Sequence, residues 1–264
     1  MELPPPGFGT AGYEDDECVA AVERALAAGY RHVDTAQMYE NEAAVGTAIE
    51  RSGVDRDELV VATKVHPENL GHDDVIDSTR ESLERLGLDR VDLLYVHWPI
   101  EAYDAPETLA AMDAVRDRGW TDHVGLSNFT PELLAAAREH LEAPIGAHQV
   151  ECHPLLAQET LRADALAGGY PLVGYCPLIQ GDAHEVDVLV EIADAHDATP
   201  HQVCLAWSLA REPIVPIPKG RGEHVEENWA ARELELSPTE LGRIDAIEET
   251  RRIVDPERAP WNRD

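Results

Sequence analysis

Lysine is nearly missing from this chain. Of 21 basic residues among 264, only Lys64 and Lys219 are lysines, and the other nineteen are arginines. Aromatic residues are also scarce at 5 %, with two phenylalanines in the whole sequence. Cys18, Cys152, Cys176 and Cys204 stand far apart with no CxxC spacing, which reads as reduced thiols of a cytoplasmic protein. No apolar run approaches the ~18 residues of a membrane span. The opening Met1–Gly7 has neither a basic n-region nor an apolar h-region, so no signal peptide is expected. Positive charge is outnumbered, 21 basic against 52 acidic residues, for a net charge of −31. Phosphate contacts need clustered Lys and Arg, so no nucleic-acid partner is expected, and no anionic membrane surface either.

What is present is a core. Hydrophobic residues make up 44 % of the chain, enough to fold despite the charge. The acid-rich, lysine-poor composition resembles that of proteins from salt-accumulating halophiles. At ~1 M salt the Debye length is about 3 Å, so the self-repulsion of the excess charge largely vanishes. On a surface that avoids lysine, the two that remain call for an explanation.

Short β-branched runs alternate with longer amphipathic stretches from end to end. Strands are expected at Pro6–Thr10, Arg31–Thr35, Leu59–Lys64, Val91–His97, His123–Ser127, Ile145–Val150, Pro171–Cys176 and Pro213–Pro218. Thr130-Pro131, Thr199-Pro200 and Ser237-Pro238-Thr239-Glu240 read as helix starts, each with a capping hydroxyl before a proline. Gly29 and Gly87 read as helix ends. Eight strands alternating with about eight helices, with no linker between them, predict one α/β domain over residues 1–264, a closed (β/α)8 TIM barrel. Gly7 to Gly12 has only the outline of a GxGxxG loop and opens no helix after a well-formed strand, so it is not read as a dinucleotide fingerprint.

Chemistry in such barrels belongs to the C-terminal ends of the strands. Those ends read Asp34, Lys64 and His97, with Tyr39 in the loop after the second strand. Each has a dull explanation alone: a helix cap, a packed ring, a structural histidine. Lys64 is the hardest to dismiss, and four polar residues on three consecutive strand ends favour a site.

These segments carry a family resemblance. Val33-Asp34-Thr35-Ala36-Gln37-Met38-Tyr39-Glu40-Asn41-Glu42, Ala62-Thr63-Lys64 and Tyr95-Val96-His97-Trp98-Pro99 resemble the tetrad segments of the aldo-keto reductases. Gly125-Leu126-Ser127-Asn128-Phe129, Gln149-Val150-Glu151-Cys152-His153-Pro154 and Ile217-Pro218-Lys219 continue the pattern in family order, and the similarity spans nearly the whole chain. The short prokaryotic 2,5-diketo-D-gluconate and methylglyoxal reductases are the most similar in pattern. The resemblance implies NAD(P)H-dependent reduction of small aldehydes, ketoaldehydes or sugar-derived carbonyls. Tyr39 would be the general acid, Lys64 would lower its pKa, Asp34 would hold Lys64, and His97 would donate to the substrate oxygen. Ser127, Asn128 and Gln149 would hold the nicotinamide carboxamide, Tyr175 would stack on its ring and Leu178 would line the pyrophosphate path. Lys219 and Asn228 would contact the adenosine end.

Departures from the family pattern set further expectations. The usual Lys-Ser…Arg run at the 2′-phosphate reads Lys219-Gly220-Arg221…His224, so Arg221 and His224 are the candidates there. NADP(H) is favoured, with NAD(H) possible. Ala11 and His66 replace two aromatic pocket walls while Trp98 remains, predicting a wider or more polar pocket. Glu151, Cys152 and His153 alternate in direction along a strand, so no metal site is expected. Two other functions fit parts of the pattern: a Schiff-base aldolase with Lys64 as nucleophile, and a non-catalytic NADPH-binding regulatory subunit. A monomer or weak homo-oligomer is expected.

Overall fold

The computed structural model describes residues 1–262. All eight expected strands form, within one or two residues of their expected ends: β1 Phe8–Gly9, β2 His32–Asp34, β3 Val60–Val65, β4 Val91–Val96, β5 Thr121–Ser127, β6 Ile145–Glu151, β7 Leu172–Tyr175 and β8 Ile214–Pro216. The helices are α1 Asp15–Ala28, α2 Glu42–Ser52, α3 His72–Leu86, α4 Ala105–Asp117, α5 Pro131–His140, α6 Glu159–Gly168, α7 Asp187–Ala195, α8 Pro200–Leu209, α9 His224–Ala230 and α10 Pro238–Asp245. Ten form among the described residues where about eight were expected. The surplus arises because the β7–β8 crossover holds two helices and β8 is followed by two more. The proline-led starts behave as expected: Thr199 with Gln202 and Ser237 with Glu240 form reciprocal capping boxes. Gly29 and Gly87 end their helices in the left-handed region, at φ 116° and 66°.

The strands pair in sequence order, each parallel to the next. Gly7 N–H donates to the Pro216 carbonyl and Gly9 N–H to that of Pro218, both at 3.0 Å, so β1 meets β8 and the ring closes. A Cβ on Gly9 would lie 3.0 Å from the Ile217 carbonyl oxygen. Gly9 of the near-fingerprint therefore serves barrel closure, where two backbones approach closely.

Two layers of packing follow from the period-2 alternation of the strands. Outward residues pack beneath the helices. Inward residues fill the lumen: Ala62, Leu93, Tyr95, Ala147, Val173, Val215 and Ile217, with Leu3 from the leading segment among them. Gly125 belongs to the inward set, and its missing side chain leaves room for the Tyr95 ring, 2.4 Å from where a Cβ would be. The same alternation carried one step towards the C-terminal rim reaches Asp34, Lys64, His97, Ser127, Gln149 and Tyr175.

Candidate active site

Asp34 ends β2, Lys64 is the penultimate residue of β3, and His97 directly follows β4. Tyr39 ends a single 3-10 turn, Gln37–Tyr39. Lys64 is fully buried, and its ammonium donates to Asp34 Oδ1, to the Thr35 carbonyl at 2.8 Å and to the Tyr39 hydroxyl at 3.5 Å. The edge of the Tyr39 ring meets the His97 imidazole, with centroids 5.7 Å apart and planes at 83°. All four expected residues thus meet on one rim.

Two residues of the motif whose role was not anticipated fix the Tyr39 turn. Gln37 accepts from the His66 N–H at 2.8 Å and from Asn69 at 3.2 Å, and donates to Ser82 Oγ at 3.0 Å. Asn41 accepts from Thr35 Oγ1 at 2.9 Å and donates to the Thr10 and Tyr13 carbonyls at 2.9 and 3.2 Å. Two amides flanking Tyr39 in the quoted motif were the available signal, since a partly or fully buried amide needs hydrogen-bond partners.

Burial works against the Lys64 ammonium, but the Asp34 carboxylate and the Tyr39 hydroxyl outweigh it and hold the pKa above its ordinary value. Burial pushes the Tyr39 pKa up, Lys64 pulls it down and Asp34 adds to the rise. The net direction is upward, which corrects the expectation that Lys64 would bring it below that of a free phenol. Removing a phenolate from water here costs more than one ammonium returns. Burial, then the charges of Lys64 and His66, press the His97 pKa well below 6.5, so the imidazole is neutral. The aldolase alternative fares badly on the same geometry. A Schiff-base lysine needs a free, low-pKa amine, whereas Lys64 is a buried cation locked to Asp34.

Ser127, Asn128, Gln149 and Tyr175 gather at the next three strand ends. Asn128, in the left-handed region at φ 63°, donates to the His97 carbonyl at 3.0 Å and to Ser127 Oγ at 3.1 Å. Its Oδ1 accepts from the Tyr175 hydroxyl at 2.8 Å, which sets the angle of that partly exposed ring. Gln149 donates to Asp34 Oδ2 at 2.8 Å, tying the cofactor candidates to the tetrad. Leu178 is partly exposed and leads into a kinked segment, Ile179–Glu185.

The adenosine-end candidates lie along the β8–α9 connection. Lys219 reaches across the rim to the Ala11 carbonyl at 2.9 Å, and buried Asn228 donates to the Lys219 carbonyl at 3.2 Å. Arg221 makes a two-pronged contact with Glu17 at 2.6 and 3.2 Å, and His224 meets Glu227 at 2.6 Å. Both are exposed and both are held by carboxylates. A Cβ at Gly220 would stand 2.9 Å from the His224 carbonyl, so the backbone at the start of α9 leaves no room for a side chain there.

A family model described as the aldo/keto reductase family matches residues 7–249. The chain belongs to the aldo/keto reductase family. It is an NAD(P)H-dependent oxidoreductase by that membership. Methylglyoxal reductase DkgB of Salmonella typhi is 40 % identical over 260 residues, 97 % of each chain. A solved structure assigned as 2,5-diketo-D-gluconic acid reductase B superposes with a TM-score of 0.93 at 36 % identity, covering 97 % of this chain and 92 % of that one. A Bombyx mori aldo-keto reductase in complex with NADP superposes with a TM-score of 0.89 at 28 % identity, covering 97 % of this chain and 92 % of its own.

The departures from the family pattern take physical form in the walls of the site. His66 is partly exposed, its Nδ1 accepting from the Glu68 N–H at 3.2 Å. Trp98 is buried against Trp261, with ring centroids 5.7 Å apart. Trp261, more than 160 positions later in the chain, thus adds a second ring beside Trp98, and sequence spacing gave no sign of it. Glu151 and His153 pair at 2.9 Å, and the Glu151 carboxylate also accepts the Ile253 and Val254 N–H groups, both at 2.7 Å. That carboxylate pins the tail of the chain. Among the described residues no group of three metal-ligating side chains converges. A surface cleft between Leu155, Gln158, Trp207 and Asp245 lies apart from the tetrad and shares no residue with it.

Proposed function

We propose that this chain reduces small aldehydes and ketoaldehydes to alcohols with NADPH as hydride donor. The observation that carries the reading is the Tyr39 hydroxyl set between the buried Asp34–Lys64 pair and a neutral His97. The residues present fit the cofactor. Ser127 Oγ accepts from Asn128 and keeps its own hydrogen for a carboxamide oxygen, while Gln149, its amide hydrogen given to Asp34, offers its oxygen to a carboxamide NH2. Tyr175, oriented by Asn128, would lie along the nicotinamide ring, with Leu178 beside the pyrophosphate. Lys219, Arg221, His224 and Asn228 would face the adenosine and its 2′-phosphate.

When bound, NADPH supplies the hydride to the carbonyl carbon. The protein's own residues then handle the charge that appears on oxygen. Tyr39, kept protonated through the neutral range, gives its proton to the developing alkoxide. Lys64 stabilises the tyrosinate left behind, and Asp34 keeps Lys64 in place and charged. His97 has Nδ1 buried without a partner, so the tautomer with its hydrogen on Nε2 presents a donor to the carbonyl oxygen. Burial removes competing water from the cluster.

Methylglyoxal is a substrate candidate because similar chains bear that name. We further propose that residues 1–264 act as one catalytic domain in a salt-rich cytoplasm, as a monomer or weak homo-oligomer. Among the described residues no helix is long and apolar enough to cross a membrane. The decisive experiment is NADPH oxidation with methylglyoxal in molar salt. Tyr39→Phe should lower kcat/KM by at least ~10²-fold, the scale of general acid catalysis, while NADPH still binds. Full activity in that variant would refute the mechanism.

A further inference from the structure

Three carboxylates are at most 1 % exposed among the described residues: Asp34, Glu151 and Glu42. Asp34 holds Lys64, and Glu151 pins the end of the chain. Glu42, the first residue of α2, is bonded to none of the tetrad residues. A buried charge is kept only where it is well partnered, and the partners of Glu42 lead to both sides of the Tyr39–Lys64 contact.

Glu42 Oε1 accepts from Thr63 Oγ1 at 2.6 Å. Thr63 precedes Lys64 on β3, and its side chain leaves the opposite face of the strand. Glu42 Oε2 accepts from Arg85 of α3, from Nε at 2.8 Å and from Nη2 at 2.7 Å. The same Nη2 donates to Ser82 Oγ at 3.1 Å, and that hydroxyl also takes the Gln37 amide at 3.0 Å. Gln37 in turn accepts the His66 N–H at 2.8 Å. A closed circuit results. Gln37 and Glu42 bracket Tyr39 in the chain, and Thr63 and His66 bracket Lys64. One strut joins Glu42 to Thr63, the other joins Gln37 to His66, and Arg85 with Ser82 ties the struts together.

The frame behind this circuit is stiff. A Cβ on Gly46, one turn beyond Glu42, would collide with the Leu86 carbonyl oxygen, so α2 and α3 meet backbone to backbone beside Glu42 and Arg85. The contact inside the circuit is not stiff by itself. The Lys64 ammonium stands 3.5 Å from the Tyr39 hydroxyl, long for a hydrogen bond, so a small displacement would break it.

We propose that Glu42 and Arg85, which lie behind the rim and touch no reacting group, are positioning residues that set the Tyr39–Lys64 contact. This rests on the reading of Tyr39 as proton donor with Lys64 as its support. Arg85 does what a single ammonium does less well, because its planar fork grips a carboxylate with two N–H groups and still reaches a hydroxyl.

The test compares Arg85→Met, Arg85→Lys, Glu42→Gln and the double variant Glu42→Gln/Arg85→Met. Turnover of methylglyoxal with NADPH is measured beside the urea midpoint. NMR of protein carrying Cζ-labelled tyrosine reports the Tyr39 contact without turnover, its resonance assigned by its loss in Tyr39→Phe. A misplacement of ~1 Å can cost ~10²-fold, so Arg85→Met should lose at least ~10-fold in kcat while KM and the NADPH Kd stay within ~2-fold. The Tyr39 resonance should move in that variant, and Arg85→Lys should recover part of both losses. In the double variant no buried charge is left unpaired. Its urea midpoint should return towards wild type while kcat stays low and the resonance stays displaced. Recovery of kcat together with the midpoint would show a merely structural pair and overturn the proposal. An unmoved Tyr39 resonance and undiminished kcat in Arg85→Met would overturn it as well. A resonance that follows Arg85 in a protein that turns over no carbonyl upholds the brace and overturns the reductase reading instead.

Discussion

Lys64 and Lys219 occupy opposite kinds of environment. Lys64 is buried and spends its three hydrogens on Asp34, Thr35 and Tyr39. The wide, planar fork of an arginine would not fit that point-like role, which explains why a lysine persists there. Lys219 is exposed and reaches a backbone carbonyl, where an arginine would serve nearly as well. Sequence position alone singled out both, but not their neighbours. Arg221 and His224, proposed above for the adenosine end, are each already paired, to Glu17 and Glu227. A 2′-phosphate must draw them away from those carboxylates, so each contact should be modest. We expect Arg221→Ala or His224→Ala to reduce the NADPH-over-NADH preference in kcat/KM by several-fold, about 1 kcal/mol for one charge-assisted contact after exchange. Steady-state kinetics with both cofactors checks this, and an unchanged preference in both variants would move the 2′-phosphate elsewhere.

At the scale of elements, the strands determine the site more than the loops do. Inward positions on β2 to β7 form a lumen layer, and the next inward position towards the rim carries Asp34, Lys64, His97, Ser127, Gln149 and Tyr175, while Tyr39 comes from the turn after β2. This order is readable from period-2 alternation once the strands are placed. The β8–α9 connection is different, because its geometry depends on where α9 docks. Restoring the family's hydroxyl with Gly220→Ser looks like an improvement on paper. The new Cβ would stand 2.9 Å from the backbone of His224 and Val225, and neither of those atoms can swing aside. The expected outcome is a several-fold weaker Kd for NADPH, measured by fluorescence titration. A tighter Kd would show that α9 yields more easily than this packing implies. The tail beyond α10 is a second case. No motif marked Glu151 as its anchor, since the residue reads in sequence as one member of the Glu151-Cys152-His153 run rather than as a clamp on residues 102 and 103 positions later.

At the scale of the whole molecule, acidity and buried histidine act in opposite senses. His32 and His148 are fully buried, and burial pushes their pKa values down to about 4 and about 3. Both folded values lie below the ~6.5 of an unfolded histidine, so the unfolded chain takes up protons first. Their stabilising contribution is complete above about pH 6.5 and declines as the pH falls towards 4, at about 2 kcal/mol per histidine between pH 6.5 and 5.0. The acidic surface pulls the other way at low salt, because protonating crowded carboxylates relieves repulsion. In 1 M KCl that term is screened. The urea midpoint in 1 M KCl should therefore fall from pH 7.5 to 5.0, and a flat or rising midpoint would contradict the histidine account.

Local physics was enough to specify the eight strands, the helix caps, the barrel class and the four candidate residues that meet at the rim. Alternation, capping hydroxyls and glycine ends act over a few residues and leave their mark in the order of the amino acids. Tertiary structure decided what depends on distant segments meeting. Burial reversed the expected shift of Tyr39, α9 excluded a side chain at Gly220, and the end of the chain returned Trp261 to the side of Trp98. Those outcomes rest on desolvation and on contacts between residues far apart in the chain, and neither has a period that a sequence can display.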